Sequence, residues 1–239
     1  MKKKLIVTHG IKGGIGKSLM AALLVDLEIQ NGKKILIVES DGHVPDVAER
    51  YAKIVRSKVA PVLETESLYR LLAEIESDEV QCAETVVLNL PANSQAIDEC
   101  AQEFVEVAHE LGLEIRTIYM IAESADSARL AQKSLDAGLI KHSDFALGVV
   151  NQHFGRYASD FHWTNSEERK SWFAAGISES FLPELPAALA GLPELKKGAF
   201  HTFTSPQSTL KIVDRVRLKK WLDGAYAPCR IALGYNDDA

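Results

Sequence analysis

Short apolar runs alternate with longer mixed segments through the first two thirds of the chain. This is the pattern of repeated βα units over a parallel sheet whose strands are covered on both faces. Leu5 to His9 reads as a buried strand, Lys17 to Gln30 as a helix closed by Asn31 and Gly32, and Lys34 to Glu39 as the next strand. Thr85 to Leu90, Arg116 to Ala122 and Phe145 to Asn151 read as further strands, separated by helices over Ser94 to Leu111 and Ala125 to Ala137. The stretch from Val44 to Ser77 predicts one or two helices with a break near Pro61, because proline cannot continue a helix. After Asn151 the periodicity lapses: Gln152 to Ser166 carries His153, Phe154, Tyr157, Phe161, His162 and Trp163 and reads as a surface loop or short insertion. Helix resumes near Glu167, a short strand is expected at Ser180 to Leu182 before Pro183, and helices at Ala187 to Ala190 and Ser208 to Leu222. Asn236 to Ala239 should fray. With no repeat and no Gly/Ser linker, the pattern predicts a single α/β domain over residues 1–223, with a mostly parallel sheet and helices on both faces. Residues 224–239 then form a C-terminal tail.

Composition narrows this little: 239 residues, 46% hydrophobic and 25% charged, are ordinary for a globular protein and exclude disordered, collagenous and coiled-coil classes. The three cysteines, Cys82, Cys100 and Cys229, have no CxxC spacing and write neither a disulfide framework nor a zinc site, so a reducing cytoplasm is the expected compartment. Lys2, Lys3 and Lys4 open the chain like a signal peptide, but the apolar run behind them is too short for one. No window reaches the roughly 18 apolar residues of a membrane span. Charge changes the picture more. The formal net charge is −6, yet Lys196 to Leu222 holds seven Lys or Arg against one Asp, a basic patch in an acidic protein.

The candidate chemistry lies in His9-Gly10-Ile11-Lys12-Gly13-Gly14-Ile15-Gly16-Lys17-Ser18, between a predicted strand and a predicted helix. Glycines there let successive backbone N–H groups turn inward on an anion, and the helix N-terminus adds its positive end. Lys17 would meet the β- and γ-phosphates, and Ser18 would ligate Mg²⁺. The strict spacing GxxxxGK[ST] calls for glycine at position 11, where Ile11 stands, with Gly10 a partial substitute.

Lys12-Gly13-Gly14-Ile15-Gly16-Lys17-Ser18 resembles the deviant Walker A motif of the ParA/MinD family of P-loop ATPases, whose mark is the additional lysine, here Lys12. The resemblance spans about Lys4 to Leu222. It implies ATP and Mg²⁺ as cofactors, held by Gly13, Gly14, Ile15, Gly16, Lys17, Ser18 and Leu19. It also implies a homodimer formed around ATP, in which Lys12 touches the partner's phosphates. Ile35 to Asp41 resembles the family's second strand with its acidic end; Asp41 is then catalytic beside Lys12 and Lys17 and shares the metal with Ser18. Glu39 stands where the family has aspartate, with an undefined duty. In Val86-Val87-Leu88-Asn89-Leu90-Pro91-Ala92-Asn93, Asn89 replaces the Walker B aspartate, so the metal shell is one charge short and hydrolysis should be slow. Its amide oxygen could still accept from metal-bound water. Asn93 replaces a glycine and could still turn the backbone. By the same resemblance Asn151 reads the adenine edge and Pro183 covers its face.

Other chemistry is poorly supplied. The seven histidines have no metal-ligand spacing, there is no HExxH or GxSxG motif, and the cysteines suit no iron–sulfur cluster. The last helix shows no clean apolar face over Ser208 to Leu222, which argues against membrane attachment, while Lys211, Arg215, Arg217, Lys219 and Lys220 could meet DNA phosphates. The resemblance therefore implies an ATPase that positions, stabilises or transfers plasmid DNA with a protein partner. Two alternatives stay open: a P-loop synthetase phosphorylating a small carboxylate, and a nucleotide-sensing scaffold without turnover.

Overall fold

The computed structural model describes residues 2–41, 45–62, 64–76, 83–92 and 94–235. His43, Cys82, Asn93 and the end expected to fray, 236–239, lie outside them. Seven parallel strands form one sheet in the order β3-β2-β4-β1-β5-β6-β7. They are β1 (Lys3–His9), β2 (Ile35–Glu39), β3 (Arg56–Val59), β4 (Thr85–Asn89), β5 (Leu113–Ile121), β6 (Phe145–Asn151) and β7 (Ser178–Leu182). The all-parallel order agrees with the predicted α/β class.

Alternation along each strand sorts the core into two layers. Leu5, Val7, Leu36, Val38, Val86 and Leu88 face one side, under the helices Thr65–Ile75 and Ala101–Glu110. Ile6, Ile37, Val87, Ile118, Met120 and Val149 face the other, under helix α1 (Lys17–Gln30) and the C-terminal helix (Ile212–Leu233). A third cluster packs Tyr119 and Ile121 against Trp163 and Trp172, with the two indoles edge to face at 5.2 Å.

Several elements differ from the sequence expectation, each for a physical reason. Between Val44 and Ser77 the described residues hold helices at Asp46–Tyr51 and Thr65–Ile75, but also β3, an edge strand. Its residues Arg56, Ser57, Lys58 and Val59 are largely exposed and pair only with β2, so no apolar run marks it. The helix expected over Ser94 to Leu111 is two, Gln95–Glu99 and Ala101–Glu110, broken at Cys100. The Gln152 to Ser166 segment is no plain surface loop: it makes two 3₁₀ turns, and Phe161 and Trp163 are buried.

The C-terminal helix runs to Leu233, so residues 224–233, read from the sequence as tail, complete it. Leu218, Trp221, Leu222, Ala225, Tyr226, Cys229, Ala232 and Leu233 form its buried stripe, while Ile212, Val213 and Val216 are exposed. The apolar face begins only at Leu218, and a window ending at Leu222 mixes the two parts. Among the described residues no helix is long and apolar enough to cross a membrane.

Candidate functional site

In an open parallel sheet, ligands sit outside the C-terminal strand ends, where the connections diverge. β1 is central, flanked by β4 and β5, and its C-terminal end runs through Gly10 into the loop that opens α1. Two loop glycines are required by shape. Gly10 has φ +138° and a Cβ there would lie 2.4 Å from Ile15 Cδ1; Gly16 has φ +100° and a Cβ would lie 2.6 Å from Asn151 Nδ2. Ile11, where the strict motif wants glycine, is buried with Ile15 as part of the loop's apolar underside.

A cleft of about 260 Å³ lies between this loop, from Gly13 to Leu19, and the strand ends at Asp41 and Asn89 to Ala92. It brings together most of the residues singled out in the sequence. Larger clefts lie elsewhere among the described residues: two, of about 540 and 420 Å³, around Lys33 and Lys34, and one of about 530 Å³ along Ala52 to Ser57. They lack the glycine cradle, the helix N-terminus and the acidic strand ends, so the smaller cleft is the chemically equipped one.

Lys17 is buried, and its Nζ donates to the carbonyls of Gly10 (2.8 Å) and Lys12 (2.9 Å). Burial lowers its ammonium to about 8, opposed by the charge of Asp41. Lys12 is directed away from Lys17: its Nζ donates to Ser124 Oγ at 2.6 Å, at the N-cap of the helix Ala125–Ala137. The strand before the loop is tied down by His9, whose Nε2 lies 3.0 Å from Asp98 Oδ2. Asp98 also accepts from Ser134 Oγ and the Leu139 N–H; burial pushes its carboxyl up, but His9 and these donors outweigh it and hold it low.

Register places Thr8, Asn89 and Glu39 in one row across β1, β4 and β2, on the face that α1 covers. Thr8 Oγ1 lies 3.1 Å from Asn89 Oδ1, and Asn89 Nδ2 donates to Glu39 Oε1 (2.7 Å) and Ser18 Oγ (3.2 Å). The amide oxygen therefore accepts from Thr8, and the group turned to Ser18 is the NH₂. Burial pushes the Glu39 carboxyl up to about 7, against the pull of hydrogen bonds from Asn89 and the backbone N–H groups of Val47, Ala48 and Asp41.

Asn151 and Pro183 stand outside this cleft. Asn151 is buried directly under the loop, its Nδ2 donating to Ile15 O (3.0 Å) and its Oδ1 accepting the His153 N–H (3.0 Å). The Pro183 carbonyl accepts from Trp221 Nε1 at 3.0 Å. The Asn151 Nδ2 holds the loop to β6, and its Oδ1 holds the turn that follows β6. Thr8 and Ser124, which bond the singled-out residues, went unremarked in the sequence, because strand register and loop proximity are not written there.

An ion of the Mg²⁺ kind takes oxygen ligands. The Ser18 hydroxyl and the Asp41 carboxylate suit it, and the Asn89 NH₂ does not. Among the described residues there is no cluster of three or more His, Cys, Asp or Glu that could hold a metal by itself, so any such ion would rely on nucleotide oxygens for much of its shell.

No family model matches the chain. Protein MobD of Acidithiobacillus ferrooxidans is 30% identical over 158 residues, 65% of this chain and 66% of that protein, so the match spans just under two thirds of the relative's length. Among solved structures, the MinD cell division protein of Aquifex aeolicus superposes with a TM-score of 0.59 at 16% identity, covering 98% of each chain. A chain of the MinC:MinD cell division protein complex of the same organism gives 0.57 at 14% identity, over 99% of this chain and 98% of that one. At such identities the likeness establishes the fold: the chain has the α/β architecture of MinD.

Proposed function

We propose that this chain binds Mg²⁺-ATP at the Gly10 to Ser18 loop, pairs with a second copy around the nucleotide and hydrolyses ATP slowly. The observation that carries the reading is the buried Lys17 ammonium, held by two loop carbonyls at the mouth of a glycine-lined cleft opposite Asp41. Phosphate oxygens are stronger acceptors than those carbonyls and would take the lysine over. Gly13, Gly14 and Gly16 leave the loop backbone open to the phosphates, and the N-terminus of α1 points its N–H groups there. Mg²⁺, when bound, neutralises charge developing on the phosphates; Ser18 and Asp41 would hold it, and Asp41 would orient the attacking water. Lys12 would leave Ser124 to reach the second copy's phosphates.

Slow turnover follows from Asn89, which brings no charge to the metal side. The same residue favours a second reading, a nucleotide-sensing scaffold, distinguished by tight ATP binding without phosphate release. A protein partner, and DNA met by the exposed Lys211, Arg217, Lys219 and Lys220, belong to the same proposal, as does a role in plasmid positioning, stability or conjugation.

The test is thermal melting with Mg²⁺-ATP. Ligand at about 100 times its Kd adds about 2.7 kcal/mol, a rise of roughly 5–10 °C for a chain this size. Lys17→Ala should abolish the rise, and a variant that keeps it refutes the assignment.

A further inference from the structure

The residues that open the neighbouring strands β3, β2, β4 and β1 carry a run of cations. Lys2, Lys3 and Lys4 stand at the start of β1, and Lys33 and Lys34 lead into β2; Lys53 and Arg56 stand at β3. They line three clefts with shared walls. Those of about 420 and 540 Å³ have Lys33, Lys34 and Ala83 in common, and the latter shares Ile54, Val55 and Arg56 with the cleft of about 530 Å³. Together they form one groove across four strand starts, about 14 Å from first to last. Against seven cations its described lining has two carboxylates, Glu28 and Glu84, in a chain whose net charge is −6. Both are committed. Glu28 is buried and accepts from Thr85 Oγ1 and the Tyr235 hydroxyl, and Glu84 accepts from Lys33 Nζ and the Lys34 N–H, each at 3.1 Å. Lys4 donates to the Leu233 carbonyl at the end of the C-terminal helix, so capping accounts for it and an ion pair for Lys33. The other five cations outnumber any acid that lines the groove. Tyr235 stands beside Lys4, its ring half-buried, its hydroxyl pinned by Glu28 and Lys4 Nζ 5.5 Å from the ring centre.

We propose that this groove binds a single-stranded nucleic acid, its cations following the phosphates and Tyr235 stacking on a base. A groove of positive charge beside an aromatic platform is how proteins hold single strands without reading their sequence. Cations spread over four strand starts suit a chain of phosphates, whereas one small anion would need them to converge on a point. Each cleft has the volume of a small-molecule site, which admits a nucleotide of a single strand and not a duplex. A flat bilayer would meet only the rim of charge set in a recess. The groove is independent of the nucleotide cleft, which lies at the other ends of the same strands. It is also separate from the basic turns of the C-terminal helix: Lys4 meets Leu233, and Arg217 to Lys220 lie about 20–24 Å back along the helix axis.

The test is a salt titration, by fluorescence anisotropy and without ATP, of a labelled mixed-sequence oligonucleotide, as single strand and as duplex, on the full chain. The single strand should bind more tightly than the duplex. Reversing three exposed cations together, Lys2→Glu, Lys34→Glu and Arg56→Glu, should weaken single-strand binding at least tenfold and reduce its salt slope by about 2, since each phosphate contact contributes about 0.7. Tyr235→Ala should lose at least fivefold, and Tyr235→Phe, which keeps the ring, should hold the affinity. No binding of the strand by the wild type at low salt, a preference for the duplex, or undiminished binding by the reversed variant or by Tyr235→Ala overturns the inference. So do phosphatidylglycerol vesicles held by these residues in place of the strand. Should the reversed variant not fold, the neutral variant Lys2→Gln/Lys34→Gln/Arg56→Gln decides by the same comparison, with an expected loss of at least threefold. None of these outcomes bears on the melting shift with ATP, so the nucleotide reading stands or falls separately.

Discussion

Replacing Asn151 by alanine removes two hydrogen bonds, the one that fastens the glycine-rich loop to the end of β6 and the one its Oδ1 accepts from the His153 N–H. The Ile15 carbonyl loses its donor at 3.0 Å in a place where Ile15 is 3% exposed, and no water can readily replace it. Leaving such a buried acceptor unpaired costs about 1–3 kcal/mol. The His153 N–H loses its acceptor at 3.0 Å as well, but its residue lies at the surface, so this adds less, about 0.5–1 kcal/mol. The sum of about 3 kcal/mol corresponds to a fall of roughly 6–12 °C in the melting temperature of the ligand-free protein. Because the loop loses its anchor, affinity should fall alike for ATP, GTP and inorganic triphosphate. A base-reading asparagine predicts the opposite: an unchanged ligand-free melting temperature and a selective loss of ATP over GTP. Melting of the ligand-free variant, with competition by the three ligands, separates the two. An unshifted melting curve with lost base preference would refute the strut and return Asn151 to the base.

Ser124→Ala removes the acceptor that holds Lys12 within its own chain, so a non-hydrolysable ATP analogue should dimerise this variant at several-fold lower concentration; Lys12→Ala should not dimerise at all. Sedimentation checks both, and equal behaviour of the two variants contradicts a role for Lys12 in trans. The Glu179 carboxylate accepts from Arg169 Nε (2.8 Å) and Nη2 (2.5 Å) and from Trp163 Nε1 (3.0 Å); burial pushes its carboxyl up, but these donors prevail and hold it below the usual carboxylate range. Its stabilisation is thus complete above the unfolded value and fades as pH falls through the lower folded value. Glu179→Gln should cost about 1–3 kcal/mol at neutral pH, discounted for the partly exposed Arg169. The gap from wild type should close in acid melts, and a gap that is constant with pH would refute the account. Reversing the charges of Arg217, Lys219 and Lys220 should weaken any DNA binding and flatten its salt dependence without touching the ATP-induced melting shift; Arg215 is a poorer choice, since its Nη1 is engaged with Ser205 O at 2.9 Å. Binding indifferent to the reversal would move the partner from DNA to protein.

The sequence by itself determined the elements whose physics is local. Phe145–Asn151 and Lys17–Gln30 were legible because an apolar run of strand length and a helix closed by Asn31 and Gly32 carry their own signals. The glycine-rich loop was legible for the same reason: its glycines, lysine and serine are neighbours in the chain. Tertiary structure decided whatever depends on strands that are distant in sequence. The polar edge strand β3 exists because β2 offers it a partner. The stripe from Leu218 to Leu233 exists because α1 and β7 lie beneath it, while Ile212, Val213 and Val216, equally apolar, stay exposed. The row of Thr8, Asn89 and Glu39 is set by register between three strands drawn from separate parts of the chain. A one-residue slip in any of them would turn its member to the other face of the sheet. That is why asparagine at position 89 reads in the sequence as a lost charge, and in the fold as the middle of a hydrogen-bonded row between Thr8 and Glu39.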